Sequence, residues 1–233
     1  MNFKNLFVFC LFFALLTPFS GFGQENKSAP VSDLWQWTDI GISKKITQRW
    51  TASIEEEIRL MDNITEFNLI YTNFGISYKL SKVFKAALTY RWIEKARDEG
   101  PLSARHRLIF DVVAKEKVKH LVFAYRFRLQ GQVRDYYSAN KGPVPETYMR
   151  NKLEIKYDLY RNVPYIAVES RYQFHNPRAP YNNGFDRMRY YFGVDHEFNR
   201  VHSAGLYYMI QRDFNMPQAE HDYVIGVAYT LTL

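Results

Sequence analysis

Arginine, aspartate and glutamate recur at every second position in many stretches of this 233-residue chain. Successive side chains of an extended strand point to opposite faces, so alternate positions share one face. Charges spaced in this way line one surface, where guanidinium groups pair with carboxylates or bind anions. The residues predicted to share this charged face are Glu55, Glu57, Arg59, Arg91, Arg105, Arg107, Asp111, Arg126, Arg128, Arg150, Glu154, Asp158, Glu169, Arg171, Arg187, Arg189 and Asp195.

Signals for catalysis are weak by comparison. His202 stands beside Ser203, but a hydrolase needs its nucleophile, base and orienting group together on adjacent strands. His106 and His196 fall on the apolar side of the alternation, and no phosphate loop or metal-ligand spacing occurs. We therefore expect no catalytic residue, metal site or cofactor. A barrel enzyme of the lipase or acyl-transfer type, acting on lipid, is the alternative class.

The stretch from Tyr148 to Phe174 shows the alternation most clearly. Two runs with one mostly apolar face and one mostly charged face are separated by a short break at Arg161 and Asn162, which predicts a β-hairpin. Each run has about ten residues, longer than the usual soluble strand of about 5–6. A tilted strand needs roughly 9–11 residues to cross a bilayer. The pattern therefore predicts a membrane-spanning hairpin.

The chain begins with the features of a secretory signal peptide. Lys4 supplies the positive charge, Leu6 to Leu16 forms an apolar core, and small residues precede a predicted cleavage after Gly23. We assign residues 1–23 to this signal. Because the single cysteine, Cys10, lies within it, we expect neither a disulfide nor a thiol site in the mature chain.

The composition of the remaining chain favours an outer-membrane barrel. It has no apolar run long enough for a transmembrane helix, yet the whole chain carries 18 Tyr, 18 Phe and 4 Trp. In such barrels apolar residues alternate with polar residues that face the lumen, so the mean hydropathy of each strand stays low. The net charge is +7, but the basic residues are spread through the strands with acidic residues among them. This distribution argues against a nucleic-acid partner. The host would be a Gram-negative bacterium.

Alternating runs continue through the chain and predict an all-β, antiparallel, up-and-down transmembrane barrel of about 10–12 strands. We assign 24–33 to a flexible lead and 34–233 to the barrel. Eleven candidate strands can be counted, but bacterial barrels usually have even numbers, so ten and twelve are both open. The predicted strands are Leu34–Ile42, Trp50–Leu60, Phe67–Leu80, Phe84–Trp92, Arg105–Val113, Leu121–Gln132, Tyr148–Leu159, 163–174, Arg187–Phe198, Ser203–Gln211 and Tyr223–Leu233.

Short basic turns alternate with longer loops rich in Pro, Gly, Asn and Asp, such as Val133 to Glu146. Barrels of the outer membrane have short periplasmic turns and longer extracellular loops. The last strand ends on alternating Tyr229, Leu231 and Leu233, which we interpret as the signal for the barrel-assembly machinery. Outer-membrane lipid is the other expected partner, and we expect a monomer.

Two further details concern the apolar face. We expect Trp35, Trp37, Trp50 and Trp92 near the strand ends to join aromatic girdles at the membrane interfaces. Glu56 interrupts the apolar face of its strand, which predicts either a position at the membrane edge or a β-bulge that shifts the register.

The charged inner face leaves several functions open. The charges can form an ion-pair network that fills and braces the barrel. Surplus arginines can instead line a narrow path for small anionic solutes, or the interior can hold a lipid headgroup or acyl chain. A periplasmic, soluble β-sheet protein is a further class, which would be released without detergent.

Several segments of the chain resemble one known family. They are the Trp35-Gln36-Trp37 start, the hairpins ISYKLSKVFKAALTYRW and IKYDLYRNVPYIAVESRY, the block RMRYYFGVDHEFNRVHSAGLYY, and the final VIGVAYTLTL. The resemblance is to the domain of unknown function 2490 family of predicted outer-membrane barrels, over nearly the whole mature chain. It implies a fold and a location but no catalytic residues.

Overall fold

A computed structural model describes residues 31–97, 100–134, 145–175, 183–215 and 220–233. The predicted signal peptide and most of the predicted lead lie outside these residues. Every regular element among them is a strand. In chain order the strands are β1 (Val31–Lys45), β2 (Trp50–Met61), β3 (Glu66–Lys79), β4 (Phe84–Lys95), β5 (Ser103–Val118), β6 (Leu121–Arg134), β7 (Glu146–Tyr157), β8 (Asn162–His175), β9 (Gly184–Glu197), β10 (His202–Asp213) and β11 (Glu220–Thr232).

These strands form one closed barrel, in which each strand is antiparallel to the next and β1 closes against β11. The closing pair is parallel, with Val31 opposite Glu220 and Ser43 opposite Thr232. An odd number of up-and-down strands leaves the first and last running in the same direction, so their contact must be parallel. The described residues form eleven strands, which confirms the predicted barrel of about 10–12 strands, whereas the even number that we favoured, ten or twelve, does not occur.

Each predicted strand is confirmed, with changes at its ends. β1 begins at Val31, three residues before the predicted barrel boundary and inside the predicted lead. β5 continues to Val118 through a segment that we predicted as a turn. In both places apolar and charged residues no longer alternate along the strand, so the pattern gave no signal there.

The two ends of the barrel differ in their connections. At one end the connections are short, at residues 46–49, 80–83, 119–120, 158–161 and 198–201. At the other end lie 62–65 and the longer connections 96–102, 135–145, 176–183 and 214–219. We call them the short-turn end and the long-loop end. Of the predicted long loops, most residues of Val133 to Glu146 lie outside the described part of the chain.

Apolar side chains cover the outer face, and a small apolar cluster lies inside. Trp37, Met209 and Val224 are buried together in the interior, with Trp35 packed against them. The prediction that Trp35 and Trp37 join an aromatic girdle was wrong, because the register of β1 places both on the same face as Asp39. Trp50 and Trp92 lie on the outer face as predicted.

Glu56 lies on the outer face near the middle of β2, opposite Ile40 of β1 and Thr72 of β3. Its Oε2 accepts a hydrogen bond of 2.5 Å from Thr72 Oγ1. The register shift of this hairpin is between Arg59 and Leu60 instead. Both explanations that we offered for Glu56, an edge position and a bulge, were therefore wrong. No helix among the described residues is long and apolar enough to cross a bilayer.

Candidate functional site

The charged face of the strands is the inside of the barrel. Arg126 on β6 reaches Glu169 on β8 at 2.5 Å, and Lys156 on β7 reaches Asp195 on β9 at 2.8 Å. The guanidinium of Arg189 on β9 lies 5.2 Å from the Trp37 ring on β1. These strands are not neighbours, so their side chains meet across the interior.

Four arginines on neighbouring strands form a row across the inner wall. Arg128, Arg150, Arg171 and Arg187 are direct register partners from β6 to β9. Three of the four make two-bond contacts with one carboxylate each, which is the strongest arrangement for a guanidinium. These pairs are Arg128 with Asp111 at 2.7 Å, Arg171 with Asp186 at 2.8 Å, and Arg187 with Asp213 at 2.5 Å.

Glu169 is the shared carboxylate for the arginines around the middle of this row. It is only 3% exposed, and its oxygens lie 2.5 Å from Arg126, 3.3 Å from Arg150 and 3.4 Å from Arg189. A buried carboxylate is tolerated when it is paired and hydrogen-bonded. One acid therefore compensates three bases, and this part of the wall keeps a surplus of positive charge.

A second set of contacts is a ladder of hydrogen bonds that begins at Glu55. Asn73 Nδ2 donates to Glu55 Oε1 at 2.7 Å, and Arg91 Nε donates to Asn73 Oδ1 at 2.7 Å. The three residues are register partners on β2, β3 and β4. The arginine thus reaches the carboxylate only through a neutral amide.

A matching ladder begins at Glu146 on β7. Gln132 Nε2 donates to Glu146 Oε2 at 3.2 Å, Tyr148 donates to the same oxygen at 2.9 Å, and Arg107 Nε donates to Gln132 Oε1 at 3.0 Å. Here too an amide separates the arginine from the acid. The two ladders end at Arg91 and Arg107, which are register partners on β4 and β5.

Three carboxylates come together where β1 meets β2. Oxygens of Asp39, Glu55 and Glu57 lie within 4.8 Å of one another, which is close enough to hold a cation. Arg59 Nε donates to Glu57 at 2.5 Å and Tyr71 also donates to Glu57. Since Glu55 accepts from Asn73, two of the three carboxylates already have donors of their own.

Two acids lie near the short-turn end. Glu154 pairs with Lys152 at 2.9 Å and Lys156 at 3.3 Å inside the barrel. Asp158, by contrast, follows the end of β7 and pairs at the rim with Lys117 at 2.5 Å. Asp158 therefore lies at the rim, just beyond the strand residues of the inner wall. The Lys117 ammonium group holds the pKa of Asp158 below its ordinary value of 3.8.

The remaining predicted residue, Arg105, lies on the inner face of β5 between Ile93 and Arg134. Several partners of the predicted charges were missed. Asp186 lies at a register shift in β9, where the alternation breaks, and Asp213 lies beyond the predicted end of its strand. Neutral amides such as Asn73 and Gln132 carry no signal in a charge pattern. A search for polar residues at every inner position would have found them.

Tyrosine rings packed on glycines fill further parts of the interior. A Cβ atom on Gly226 would lie 1.9 Å from the Tyr207 ring, and one on Gly193 would lie 2.6 Å from the Tyr165 ring. Tyr207 is opposite Gly226 on β11, and Tyr165 is opposite Gly193 on β9. The missing side chains of the glycines make room for the rings.

His202 and Ser203, the closest sequence match to a catalytic pair, lie on opposite faces of the wall. His202 Nδ1 is 2.5 Å from the hydroxyl of Tyr229, which belongs to the outer face of β11. Ser203 has the inward parity of Tyr207 and Met209. The wall therefore separates the hydroxyl from the imidazole.

The last strand continues the wall to the final residue. Tyr229 pairs with Ile40 and Leu231 with Ile42, and Leu233 exchanges backbone hydrogen bonds with Ser43 and Lys45 at 2.8 and 3.0 Å. Residues 36–221 match the family described as "Protein of unknown function (DUF2490)". The chain belongs to this family. No curated protein matches it.

Proposed function

We propose that this DUF2490 protein is an outer-membrane β-barrel of a Gram-negative bacterium, exported by the signal peptide of residues 1–23. The apolar belt around the closed barrel supports this proposal. Large apolar side chains on ten strands are between 40% and 56% exposed. A water-soluble monomer rarely exposes so large a continuous apolar surface. Examples are Ile40, Ile58, Phe74, Leu88, Leu108, Leu129, Ile166, Phe192, Leu206 and Ile225.

The connections favour one orientation in the membrane. With short periplasmic turns, as in other outer-membrane barrels, the turn at Lys119 faces the periplasm and the turn at Asn63 faces the outside. The end of β11 then lies on the periplasmic side, where Tyr229, Leu231 and Leu233 would contact the assembly machinery. An epitope inserted after Asn63 should be labelled on intact cells, whereas one inserted after Lys119 should be labelled only after permeabilisation. The reverse labelling pattern would show that the barrel has the opposite orientation in the membrane.

For the interior we propose a structural role, in which paired charges and packed aromatic rings brace a barrel that is closed to free diffusion. The burial of Arg91, Arg150, Glu169 and Met209 supports a filled interior, since each is 9% exposed or less. Ion pairs with two hydrogen bonds each hold their side chains in fixed positions. The barrel would then serve as a rigid membrane anchor for its loops.

A second candidate is a narrow path for small anions. The observation that favours it is the excess of arginine between β4 and β9, where Arg91 and Arg107 bond to amides and three arginines share Glu169. Fixed positive charge in a narrow pore selects for anions. This candidate requires the ion-paired interior to open.

Detergent extraction and planar-bilayer recording test these proposals. The mature protein should need detergent for release, and its folded form should shift on a gel when it is heated. Release without detergent would contradict the membrane barrel. Refolded protein should show no steady conductance if the interior is closed. Steady openings with anion selectivity would contradict the structural role and support the anion path. In that case Arg126→Glu and Arg128→Glu should reduce or reverse the selectivity.

A further inference from the structure

Arg91 and Arg107 present two positive charges to each other inside the barrel. They are direct register partners on the neighbouring strands β4 and β5, and both side chains point inward. Like charges directly opposite each other destabilise a sheet. The two guanidinium groups also repel each other electrostatically. Two like charges therefore face each other across this register pair.

Both arginines also differ in their partners from three arginines of the same inner wall. Arg128, Arg171 and Arg187 each have a carboxylate with two hydrogen bonds. Arg91 and Arg107 instead donate to the amide oxygens of Asn73 and Gln132. Among the residues that the structure describes, neither has a carboxylate within 4.0 Å. Each ladder fixes its guanidinium in place but leaves the charge uncompensated.

We infer that Arg91 and Arg107 form a binding site for one small oxyanion, of the phosphate or carboxylate class. An oxyanion between the two guanidinium groups replaces their repulsion by two charge-assisted contacts. Asn73 and Gln132 orient the arginines from either side, so the site is arranged before the anion arrives. The Tyr71 ring, 3.5 Å from the Arg91 guanidinium, supports that side chain from a further direction.

The site lies towards the long-loop end, which is the end from which an anion would have to enter. Arg107 is four positions from the start of β5, and Arg91 is four from the end of β4. Arg105 and Arg134, which are register partners and only half-buried, lie between the site and that end of the barrel. Positive charge on the route raises the local anion concentration. The inference deepens the second candidate function and rests on it only for access to the interior.

Phosphate binding to refolded wild-type protein tests the inference. Inorganic phosphate would be titrated against chloride at equal ionic strength, with calorimetry and the thermal unfolding midpoint as readouts. We expect saturable binding of phosphate, a rise in the midpoint, and neither effect with chloride. Arg107→Gln and Arg91→Gln should each weaken phosphate binding at least tenfold. Arg212→Gln, which removes a positive charge from the outer face near the same end, should change it less than twofold.

Arg107→Gln carries a second signature, because it removes the repulsion with Arg91. Without phosphate this variant should unfold no earlier than wild type, and its midpoint should no longer respond to phosphate. Arg107→Lys retains the charge but not the planar fork, so it should bind with intermediate affinity. If Arg107→Gln fails to fold, Arg107→Lys and Arg91→Gln give the same comparison.

A further arm distinguishes a free oxyanion from a lipid phosphate. Dihexanoyl phosphatidic acid would be titrated beside inorganic phosphate, and binding of either one that depends on Arg107 supports the site. No binding of either to folded wild type, or binding unchanged by Arg107→Gln, overturns it. The gel shift and the detergent requirement are independent of phosphate. A failure of this inference therefore leaves the proposed membrane barrel intact.

Discussion

Two sectors of the same barrel fill its interior by different means. From β5 to β9 the inner wall carries arginines and carboxylates in paired contacts around Glu169. From β9 through β11 to β1 it carries the Trp37, Met209 and Val224 cluster, with a tyrosine ring over Gly226. The wall is continuous between them, so one backbone architecture accepts both solutions.

The difference lies in what each sector requires of its neighbours. A buried charge needs its opposite charge, because an uncompensated ion in a low-dielectric interior is costly. A ring on a glycine needs only the absence of a side chain, because the contact is one of shape. The ion-paired sector should therefore respond to loss of a partner and to pH, and the aromatic sector to added volume.

The strongest test of the ion-paired sector is Glu169→Gln. Removing one partner of a buried ion pair typically costs about 3–5 kcal/mol, and here three arginines lose their shared carboxylate. The free energy of unfolding, measured with urea in lipid or detergent, should fall by about that amount. Glu197→Gln, at an exposed position at the end of β9, is the control and should change little. A loss below about 1 kcal/mol for Glu169→Gln would show that the arginines do not depend on it.

The aromatic sector should be most sensitive at Gly226. An alanine Cβ there would lie 1.9 Å from the Tyr207 ring, so the ring must move. Overpacking of this kind usually costs about 1–3 kcal/mol. Gly131 offers a matched control, because a Cβ on it would have no atom within 4 Å. Gly131→Ala should be neutral or slightly stabilising, since glycine weakens a strand interior. Equal losses from both substitutions would contradict the ring-on-glycine packing.

A double variant sharpens the distinction between the sectors. Glu169 and Gly226 share no partner, so the two losses of stability should add to within about 0.5 kcal/mol. Unfolding of the double variant beside the two single variants measures this. A larger deviation would mean that the sectors are coupled. Arg189 is the side chain to examine in that case, because it contacts both Glu169 and the Trp37 ring.

The sequence predicted the two faces of the wall well and the closure of the barrel poorly. Alternation is a local property, and it predicted strands such as β7 and β8 within two residues of their ends. The direction of β1 relative to β11 is a property of the whole chain. The usual even strand number of bacterial barrels therefore gave a wrong expectation for this chain.

The interior partners of the charges were predictable only in part. Arg171 and Arg187 were expected on the inner face. Asp186 lies at a register shift, so simple alternation would place it on the outer face although it bonds to Arg171 inside. Trp37 was assigned to the membrane interface because tryptophan is common there. In the interior it packs against Arg59, whose guanidinium lies 3.6 Å from the Trp37 ring. Such pairings join different strands and leave no trace in one strand's pattern.

The smallest expected effect is at the rim of the ion-paired sector, at Asp158. Lys117 lowers the pKa of this exposed carboxyl group below 3.8, which means that folding favours its charged form. The stabilisation is therefore complete above the ordinary pKa and is lost as the pH falls through the lowered pKa of the folded protein. Asp158→Asn should unfold slightly earlier than wild type at pH 7, and the difference should disappear as the pH falls through the lowered pKa of Asp158.

Unfolding midpoints of wild type and Asp158→Asn across this pH range measure the effect, and added salt should reduce it because the pair is exposed. Lys117→Met, which removes the partner, should abolish the difference between aspartate and asparagine at position 158. Glu169 gives the contrast within the same sector, since its contacts are shielded from solvent and salt screens them less. A salt response as large at Glu169 as at Asp158 would mean that water enters the ion-paired sector, and the interior would then be open.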